Sequence, residues 1–243
     1  MKTLIIGGTG NIGRGIIKAL KIRGSEIAIY HRGKTKLAEE NIEYIKGNIE
    51  DLTALEAAIR QNKIDVVIDL IGETPIQAMN LSKICAGHVK HIIYSSSVAT
   101  YENEFLGRAI LPTDIQKPLT EFGHNKFESE KILFEGTFDK KFDLTIMRLS
   151  NIYGYDRIMP CNISFKSVAW DRILNDKPIL CSADGSLITN VAHIDDIGKA
   201  FAYAGLNNNC FQKAYHLVYD KCMTWQQYFQ RVGQSLEKEV SII

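Results

Sequence analysis

The chain has no excess of either charge and no segment typical of a membrane protein. Its 243 residues include 29 Lys and Arg and 28 Asp and Glu, for a formal net charge of +1. Electrostatics therefore gives no reason to expect nucleic acid or a membrane surface as a partner. No apolar run approaches the length that spans a bilayer, and the regions of a signal peptide are absent. We expect a cytoplasmic protein.

Cysteine and metal-ligand clusters are also scarce. The five cysteines are odd in number and widely scattered, which is typical of buried thiols in a reducing compartment. The segment from Cys85 to His91 holds one cysteine and two histidines, but no second cluster completes a ligand set. We predict that the protein has no metal site.

A glycine motif between an apolar strand and a helical pattern is the most informative segment present. The run GGTGNIG at 7–13 follows the strand candidate at 2–6 directly. Gly7 permits a sharp turn, Gly10 lets the backbone approach a pyrophosphate, and Gly13 allows close packing of helix and strand. The first N–H groups of the helix then face the phosphates. The motif predicts dinucleotide binding by Gly7, Thr9, Gly10, Asn11, Ile12 and Gly13.

Strand and helix patterns alternate over residues 1–150, which predicts an α/β fold of the Rossmann type, a doubly wound parallel sheet. These residues would form the dinucleotide-binding core. After Asn151 the alternation loosens, and we predict that 151–243 form a small C-terminal substrate-binding lobe, intertwined with the core in a single domain. Within it, Thr224 and Gln227 have the spacing of a capping box that opens a last helix.

The second predicted strand ends without the carboxylate that commonly binds the ribose hydroxyls of a dinucleotide. It is followed by His31, Arg32 and Lys34, which place cations where a ribose 2′-phosphate would bind, and arginine offers a planar fork for it. We predict NADP(H) in preference to NAD(H). The alternative is a solvated basic loop.

Further motifs follow the glycine run in order along the chain: Ser95-Ser96-Ser97, the FGHNK run at 122–126, the RLSNIYG run at 148–154 and the NVAHIDDI run at 190–197. Together they resemble the extended short-chain dehydrogenase/reductase family of NAD(P)-dependent sugar-nucleotide epimerases, dehydratases and reductases. The resemblance implies hydride transfer at a carbonyl or carbinol carbon. It also implies a small-molecule substrate, a nucleotide sugar or a smaller biosynthetic intermediate, and a homodimer.

The resemblance further implies a Ser that polarises the substrate oxygen, a Tyr general acid/base, and a Lys four residues later that lowers the pKa of the Tyr and binds the nicotinamide ribose. Ser97 and Lys126 match the Ser and the Lys, and Phe122 stands at the position of the Tyr. Asn48 matches a position near the adenine. We predict substrate contacts from three further residues: Tyr101, Asn151 and Tyr153.

Phe122 has no proton to exchange, and three explanations fit the sequence. It is a substitution introduced to trap a substrate, or another group (Tyr101, Tyr153 or His124) supplies the proton, or the protein binds the cofactor without turnover. Two functions follow: an NADP-dependent oxidoreductase or epimerase/dehydratase, and a non-catalytic NADP(H)-binding regulator or interaction module on the same fold.

Overall fold

The computed structural model describes residues 1–34, 39–101, 108–139, 141–155 and 168–243. Contacts within the chain divide it into two compact units. Unit 1 comprises Met1–Leu149 and Asp195–Leu217, and unit 2 comprises Ser150–Ile194 and Val218–Ile243. One boundary between the units lies next to residue 150, near the point where the alternation of strand and helix patterns in the sequence ends. Residues 195–217, however, belong to unit 1.

The described residues form strands and helices that alternate through most of unit 1. The strands are β1 (Lys2–Ile6), β2 (Glu26–His31), β3 (Ile42–Lys46), β4 (Val66–Asp69), β5 (His91–Ser97), β6 (Asp143–Leu149), β7 (Asn151–Tyr153), β8 (Ile188–Thr189), β9 (Val191–His193), β10 (Lys213–Leu217) and β11 (Met223–Thr224). The helices are α1 (Asn11–Ile22), α2 (Leu52–Gln61), α3 (Pro75–Cys85), α4 (Glu121–Glu135), α5 (Val168–Leu174), α6 (Ile194–Gly205) and α7 (Trp225–Ser235). Within the described ranges, none of these helices has the length and apolarity to cross a membrane.

Unit 1 is built on one seven-stranded sheet in the order β10-β6-β5-β4-β1-β2-β3, with every neighbouring pair parallel. The prediction of a doubly wound parallel sheet is confirmed. Apolar strands such as Val66–Asp69 are buried along their whole length, as expected for a sheet covered on both faces. The strand order reverses between β1 and β4, and ligands of such sheets bind at the carboxyl ends of the strands beside this switch point.

Short apolar runs in the sequence predict six of the seven strands of this sheet, at 4–6, 26–30, 43–45, 65–70, 91–94 and 144–149. They do not predict β10. Its residues, Lys213 to Leu217, are exposed or half-buried at the edge of the sheet, so they lack the apolar run that marks the inner strands. The sequence pattern predicts a helix over 52–61, and α2 has these bounds. Helix α7 begins directly after Thr224, whose side chain and that of Gln227 form the predicted capping box.

Unit 2 consists of two small strand pairs with helices α5 and α7. Strands β7 and β9 pair in parallel, and β8 and β11 pair antiparallel. The helices pack on an apolar core that includes Ile173, Trp225 and Phe229, and Ile179 bridges to Ile242 near the carboxyl terminus. The sequence pattern after residue 160 predicts a helix near 162–174. Helix α5 is the second part of it, and residues 162–167 lie outside the described residues.

Helices α1 and α6 of unit 1 approach each other through two glycines. A methyl group added at Gly198 would lie 2.2 Å from the carbonyl oxygen of Gly15, so the two backbones are in contact. The same helices are joined by an ion pair of 2.7 Å between Lys18 and Asp195. This contact fixes residues 195–217 against the helix that follows the glycine motif.

The described cysteines, Cys85, Cys181, Cys210 and Cys222, are free thiols. The first three are buried, as predicted, whereas Cys222 is exposed. Cys161 lies outside the described residues. Cys222 lies just before β11 in a polar segment, and this explains why it is not part of the core.

His91 opens β5 in a buried site that accommodates only the neutral ring. Its Nε2 lies 2.8 Å from the Thr145 hydroxyl, which in turn donates to the carbonyl oxygen of Cys210 at 2.8 Å. The hydroxyl therefore accepts from Nε2–H, and Nδ1 is buried without a hydrogen-bond partner. Burial lowers the pKa of His91 to about 4.

We predict that His91 makes folding less favourable in acid. Because the folded pKa lies below the unfolded value of about 6.5, the unfolded chain binds the proton first, and stability is lost as the pH falls from 6.5 through 4. The loss is on the order of 3 kcal/mol over this interval. Urea unfolding between pH 7.5 and 4 should therefore show a flatter pH dependence for His91→Gln than for the wild type. The exposed His124→Gln is the control, and equal slopes for wild type and His91→Gln would contradict the prediction.

Candidate cofactor and active site

The glycine motif forms a tight turn with one open position. Gly7 adopts a φ of +81°, and a methyl group there would lie 2.3 Å from the Ile71 side chain. At Gly13 a methyl group would lie 2.1 Å from the carbonyl oxygen of Gly8, whereas at Gly10 the nearest atom is 3.9 Å away. Gly7 and Gly13 are therefore required by packing, and Gly10 faces open space.

Open space at Gly10 lies directly before the amino terminus of α1. Gly10 is the N-cap residue in extended conformation, no side chain caps the helix, and its first turn has no acidic residue. The first N–H groups of a helix carry partial positive charge and bind phosphate. Thr9, Asn11 and Ile12 border this end of the helix. The arrangement fits the pyrophosphate of a dinucleotide.

The basic segment after β2 is held by a local turn. The Nδ1 atom of His31 accepts from the backbone N–H of Gly33 at 3.3 Å, and the His31 ring packs edge-on against Tyr44 at 5.7 Å. Arg32 and Lys34 are exposed, and neither forms an ion pair with another described residue. His31 therefore closes the turn with one ring nitrogen, while the two cations extend outward.

Asn48 lies in the exposed segment after β3, at the same edge of the sheet. Its Oδ1 accepts from the N–H of Glu50 at 3.4 Å, and its carbonyl oxygen accepts from the Tyr30 hydroxyl at 3.1 Å. The backbone of Asn48 is thus anchored to β2. Its side-chain N–H groups remain available for a hydrogen bond.

Lys126 of α4 is the buried cation of the candidate site. Its Nζ donates to the carbonyl oxygen of Gly72 at 2.8 Å and to that of Ser95 at 2.7 Å, and it lies 4.8 Å from the centre of the Tyr94 ring. An ammonium has three N–H donors, so one remains after these two bonds. Burial lowers the pKa of Lys126, and the nearby carboxylate of Asp69 opposes this shift.

Asp69, at the end of β4, is a site residue that the sequence analysis missed. Its Oδ1 accepts from the N–H groups of Ile71 and Gly72 at 3.0 and 2.9 Å, which orients the Gly72 carbonyl that Lys126 binds. Its Oδ2 is buried without a hydrogen-bond partner. Burial raises the pKa of this carboxyl group, and the two backbone donors and Lys126 oppose the shift. The signal in the sequence was the Asp-x-x-Gly spacing at the carboxyl end of a buried strand, typical of an Asx turn.

Ser97 and Phe122 lie on segments that approach each other closely. Ser97 ends β5, and its Oγ accepts from the N–H of Ala99 at 3.1 Å, so the hydroxyl hydrogen is still available. A methyl group at Gly123 would lie 2.1 Å from the carbonyl oxygen of Ala99, which shows that α4 begins against the turn after Ser97. Phe122 is 46% exposed, and its ring centre lies 5.8 Å from the Lys126 Nζ.

The Tyr101 hydroxyl is enclosed in a buried network. It accepts a short hydrogen bond from Arg148 and lies 3.0 Å from the Nε2 of His216, while Arg148 forms a bidentate pair with Glu130 at 2.7 and 3.0 Å. Burial raises the pKa of Tyr101. A hydroxyl held in this way anchors the segment around it rather than presenting its proton to a ligand.

The remaining predicted residues form other contacts. His124 is exposed on α4. Asn151 and Tyr153 belong to unit 2, where the Asn151 side chain donates to Thr189 at 3.2 Å and the Tyr153 ring packs edge-on against His193. Their contact with a substrate stays a prediction. In the part of the chain that the structure describes, no group of three or more His, Cys, Asp or Glu residues has the geometry of a metal site.

Comparison with known proteins identifies the family. The model of the NAD dependent epimerase/dehydratase family matches residues 3–216, which include the glycine motif, Ser97, Phe122 and Lys126. The chain belongs to this family. Its membership confirms the resemblance inferred from the motifs and assigns the chain to a group of NAD(P)-dependent enzymes.

Two curated relatives and one solved structure illustrate the similarity. The 2'-dehydrokanamycin reductase of Streptomyces kanamyceticus is 24% identical over 97% of this chain and 67% of its own length. The UDP-glucose 4-epimerase of Lactobacillus helveticus is 26% identical over 63% of this chain and 52% of its own length. The UDP-glucose 4-epimerase of Thermus thermophilus, solved with NAD, is 18% identical with a TM-score of 0.83 over 100% of this chain and 86% of that one.

These relatives differ in reaction, and the chain spans only about half to two thirds of the length of the two curated ones. The structural match, at 18% identity, establishes the fold alone. The family model, which matches residues 3–216, is what assigns the chain to the epimerase/dehydratase family.

We predict that alanine at Gly13 lowers the stability of the fold, whereas alanine at Gly10 lowers the affinity for the cofactor. Gly13→Ala forces the added methyl group against the Gly8 carbonyl and should destabilise the fold by about 2 kcal/mol or more. Gly10→Ala has room in the protein and should change stability by less than about 1 kcal/mol, yet weaken NAD(P)H binding at least tenfold because it fills the open space. Thermal unfolding and cofactor fluorescence titration measure the two effects. Unchanged cofactor affinity in Gly10→Ala would contradict the assignment of the pyrophosphate site.

Proposed function

We propose that the protein is an NADPH-dependent reductase of a carbonyl compound. The observation that carries the proposal is the Lys126 ammonium, which is buried, bonded to two backbone carbonyls and left with one N–H, beside a position that has no hydroxyl. Bound NADPH would supply the hydride. The substrate class is a keto group on a nucleotide sugar or on a smaller biosynthetic intermediate.

Each part of the cofactor has a matching group in unit 1. The amino terminus of α1 and the open backbone at Gly10 would bind the pyrophosphate, and the third N–H of Lys126 would bind a hydroxyl of the nicotinamide ribose. Arg32 and Lys34 favour the 2′-phosphate of NADP(H), since no carboxylate stands at the end of β2 to bind a free ribose hydroxyl. Ser97 would donate its hydroxyl hydrogen to the substrate oxygen.

Phe122 favours carbonyl reduction over epimerisation or dehydration. Oxidation of an alcohol, with which the latter reactions begin, and the reduction that reverses it both exchange a proton at the reacting oxygen, and position 122 has no group to carry that proton. Carbonyl reduction alone needs the exchange only once, as a proton for the newly formed alkoxide. Water can deliver that proton because the Phe122 side chain is nearly half exposed. The reductase relative, which matches 97% of the chain, supports the same choice.

A second candidate is an NADP(H)-binding regulator without turnover. The same phenylalanine favours it, because it leaves the groups proposed to bind the cofactor in place and removes only the proton-carrying hydroxyl. The two candidates make the same prediction for cofactor affinity and different predictions for chemistry.

We predict that Phe122→Tyr increases the rate of NADPH oxidation with a suitable ketone by about 100-fold or more, because it supplies a general acid one helical turn from Lys126. The measurement is NADPH absorbance with a panel of keto-sugar nucleotides and small ketones, alongside NADPH affinity by fluorescence. A slow but measurable wild-type rate is expected for the reductase. Phe127→Tyr, five residues further along the same helix and on a different face of it, is the matched control.

Tight NADPH binding with no turnover in either wild type or Phe122→Tyr would refute the reductase and support the regulator. An equal rate increase in Phe127→Tyr would show that the gain does not depend on position 122. Failure of the wild type to bind NADPH would refute both candidates.

A further inference from the structure

Lys46 ends β3 directly beside the basic turn that follows β2. In the parallel pairing of the two strands Lys46 lies next to His31, and the N–H of the following residue, Gly47, donates to the His31 carbonyl oxygen at 2.9 Å. The register therefore places Lys46 alongside the residue that precedes Arg32, at the same carboxyl edge of the sheet.

The side chain of Lys46 extends toward that turn. Gly33 has a φ of +79°, and a methyl group there would lie 3.2 Å from the Cε and 3.3 Å from the Cδ of Lys46. The aliphatic part of Lys46 therefore passes over the bare backbone of Gly33. Its ammonium, one bond beyond Cε, is carried to the segment that holds Arg32 and Lys34.

Contacts with β2 and β3 anchor the turn beneath Lys46. The His31 Nδ1 accepts from the Gly33 N–H, and the His31 ring packs on Tyr44 of β3. On the other side, the Tyr30 hydroxyl binds the carbonyl oxygen of Asn48, which fixes the segment after Lys46. Both chain segments that carry the cations are thus anchored to the ends of β2 and β3.

Within the described ranges, Lys46, Arg32 and Lys34 form no ion pair. Carboxylates near them in sequence have other partners: Glu43 pairs with Lys2 at 2.6 Å and Glu39 with Lys21 at 2.6 Å. Glu50 accepts from the Gln77 side chain at 2.8 Å, and Asp51 accepts from the N–H of Ala54 at the start of α2 at 3.0 Å. Clustered cations that repel one another favour binding of a compact anion, and a phosphate monoester dianion matches both an arginine fork and a lysine point charge.

We infer that Lys46 determines cofactor specificity together with Arg32, by binding the ribose 2′-phosphate of NADP(H) from the β3 side. This inference rests on the proposed preference for NADP(H) and adds a residue on a separate strand to the recognition of that phosphate. Arg32 contributes the planar fork and Lys46 the second cation.

The test compares two ligands that differ only in the 2′-phosphate: adenosine 2′,5′-bisphosphate and adenosine 5′-monophosphate. Calorimetric titration of the full chain should show that Lys46→Met weakens binding of the bisphosphate by about tenfold, equivalent to about 1.4 kcal/mol, and leaves the monophosphate unchanged. Arg32→Met should show the same selectivity. Lys213→Met is the matched control, because Lys213 is an exposed lysine on the opposite edge strand, β10.

Four results would overturn the inference. An equal loss for Lys46→Met and Lys213→Met would indicate a general effect of net charge, and an equal loss for both ligands would indicate a structural defect, which thermal unfolding of the variant checks. Unchanged bisphosphate affinity in Lys46→Met would show that Lys46 does not bind the 2′-phosphate, and it would leave the proposed preference for NADP(H) unaffected. If the wild type binds both ligands equally, the proposed cofactor preference fails before any variant is made.

Discussion

The hydrogen bonds of the Lys126 ammonium connect the strand ends on which the candidate site is built. The carbonyl oxygen of Gly72 follows β4, and that of Ser95 belongs to β5, so one side chain of α4 joins two neighbouring strands at their carboxyl edge. A buried charge requires such partners, because an unpaired one would cost several kcal/mol. Asp69 and Tyr94 support the arrangement: the first orients Gly72, and the second donates to the Gly72 carbonyl at 2.8 Å.

This arrangement separates cofactor binding from proton transfer. In the family resemblance, the lysine binds the ribose and also lowers the pKa of a tyrosine, and only the second task requires residue 122. With phenylalanine there, Lys126 keeps its two carbonyl acceptors and its remaining donor. The groups proposed to bind the cofactor therefore keep their contacts although the acid/base is absent, and for this reason reduction assisted by water and binding without turnover are the two proposed functions.

Much of the fold could be predicted from the sequence, because its signals are local. Each of three features depends on residues that are close together in sequence: the glycine motif, the buried apolar strands and the capping box at Thr224. Strand β10 could not be predicted in this way, since an edge strand with half-exposed residues has no distinctive pattern. Its position depends on pairing with β6, more than 60 residues earlier.

The candidate site shows the same division. Motifs in the sequence point to Ser97, Lys126 and the glycines. The roles inferred for Asp69 and Lys46 depend instead on neighbours that are far away in sequence and close only in the folded chain. No motif in the sequence marks Lys46, and only the pairing of β3 with β2 shows that it lies beside His31. Tyr101 was predicted to contact the substrate. In the folded chain its hydroxyl accepts a hydrogen bond from Arg148, 47 residues away.

The return of residues 195–217 to unit 1 also bears on how this chain can be divided. Helix α6 packs on α1 through Gly198 and Gly15, and β10 completes the sheet beside β6, where Cys210 accepts the hydrogen bond from Thr145 next to His91. A fragment ending near residue 150 would therefore expose an inner strand of the sheet and one face of α1. Unit 1 is discontinuous in sequence, so a shortened version that keeps its sheet complete would need a linker that joins residue 149 to residue 195.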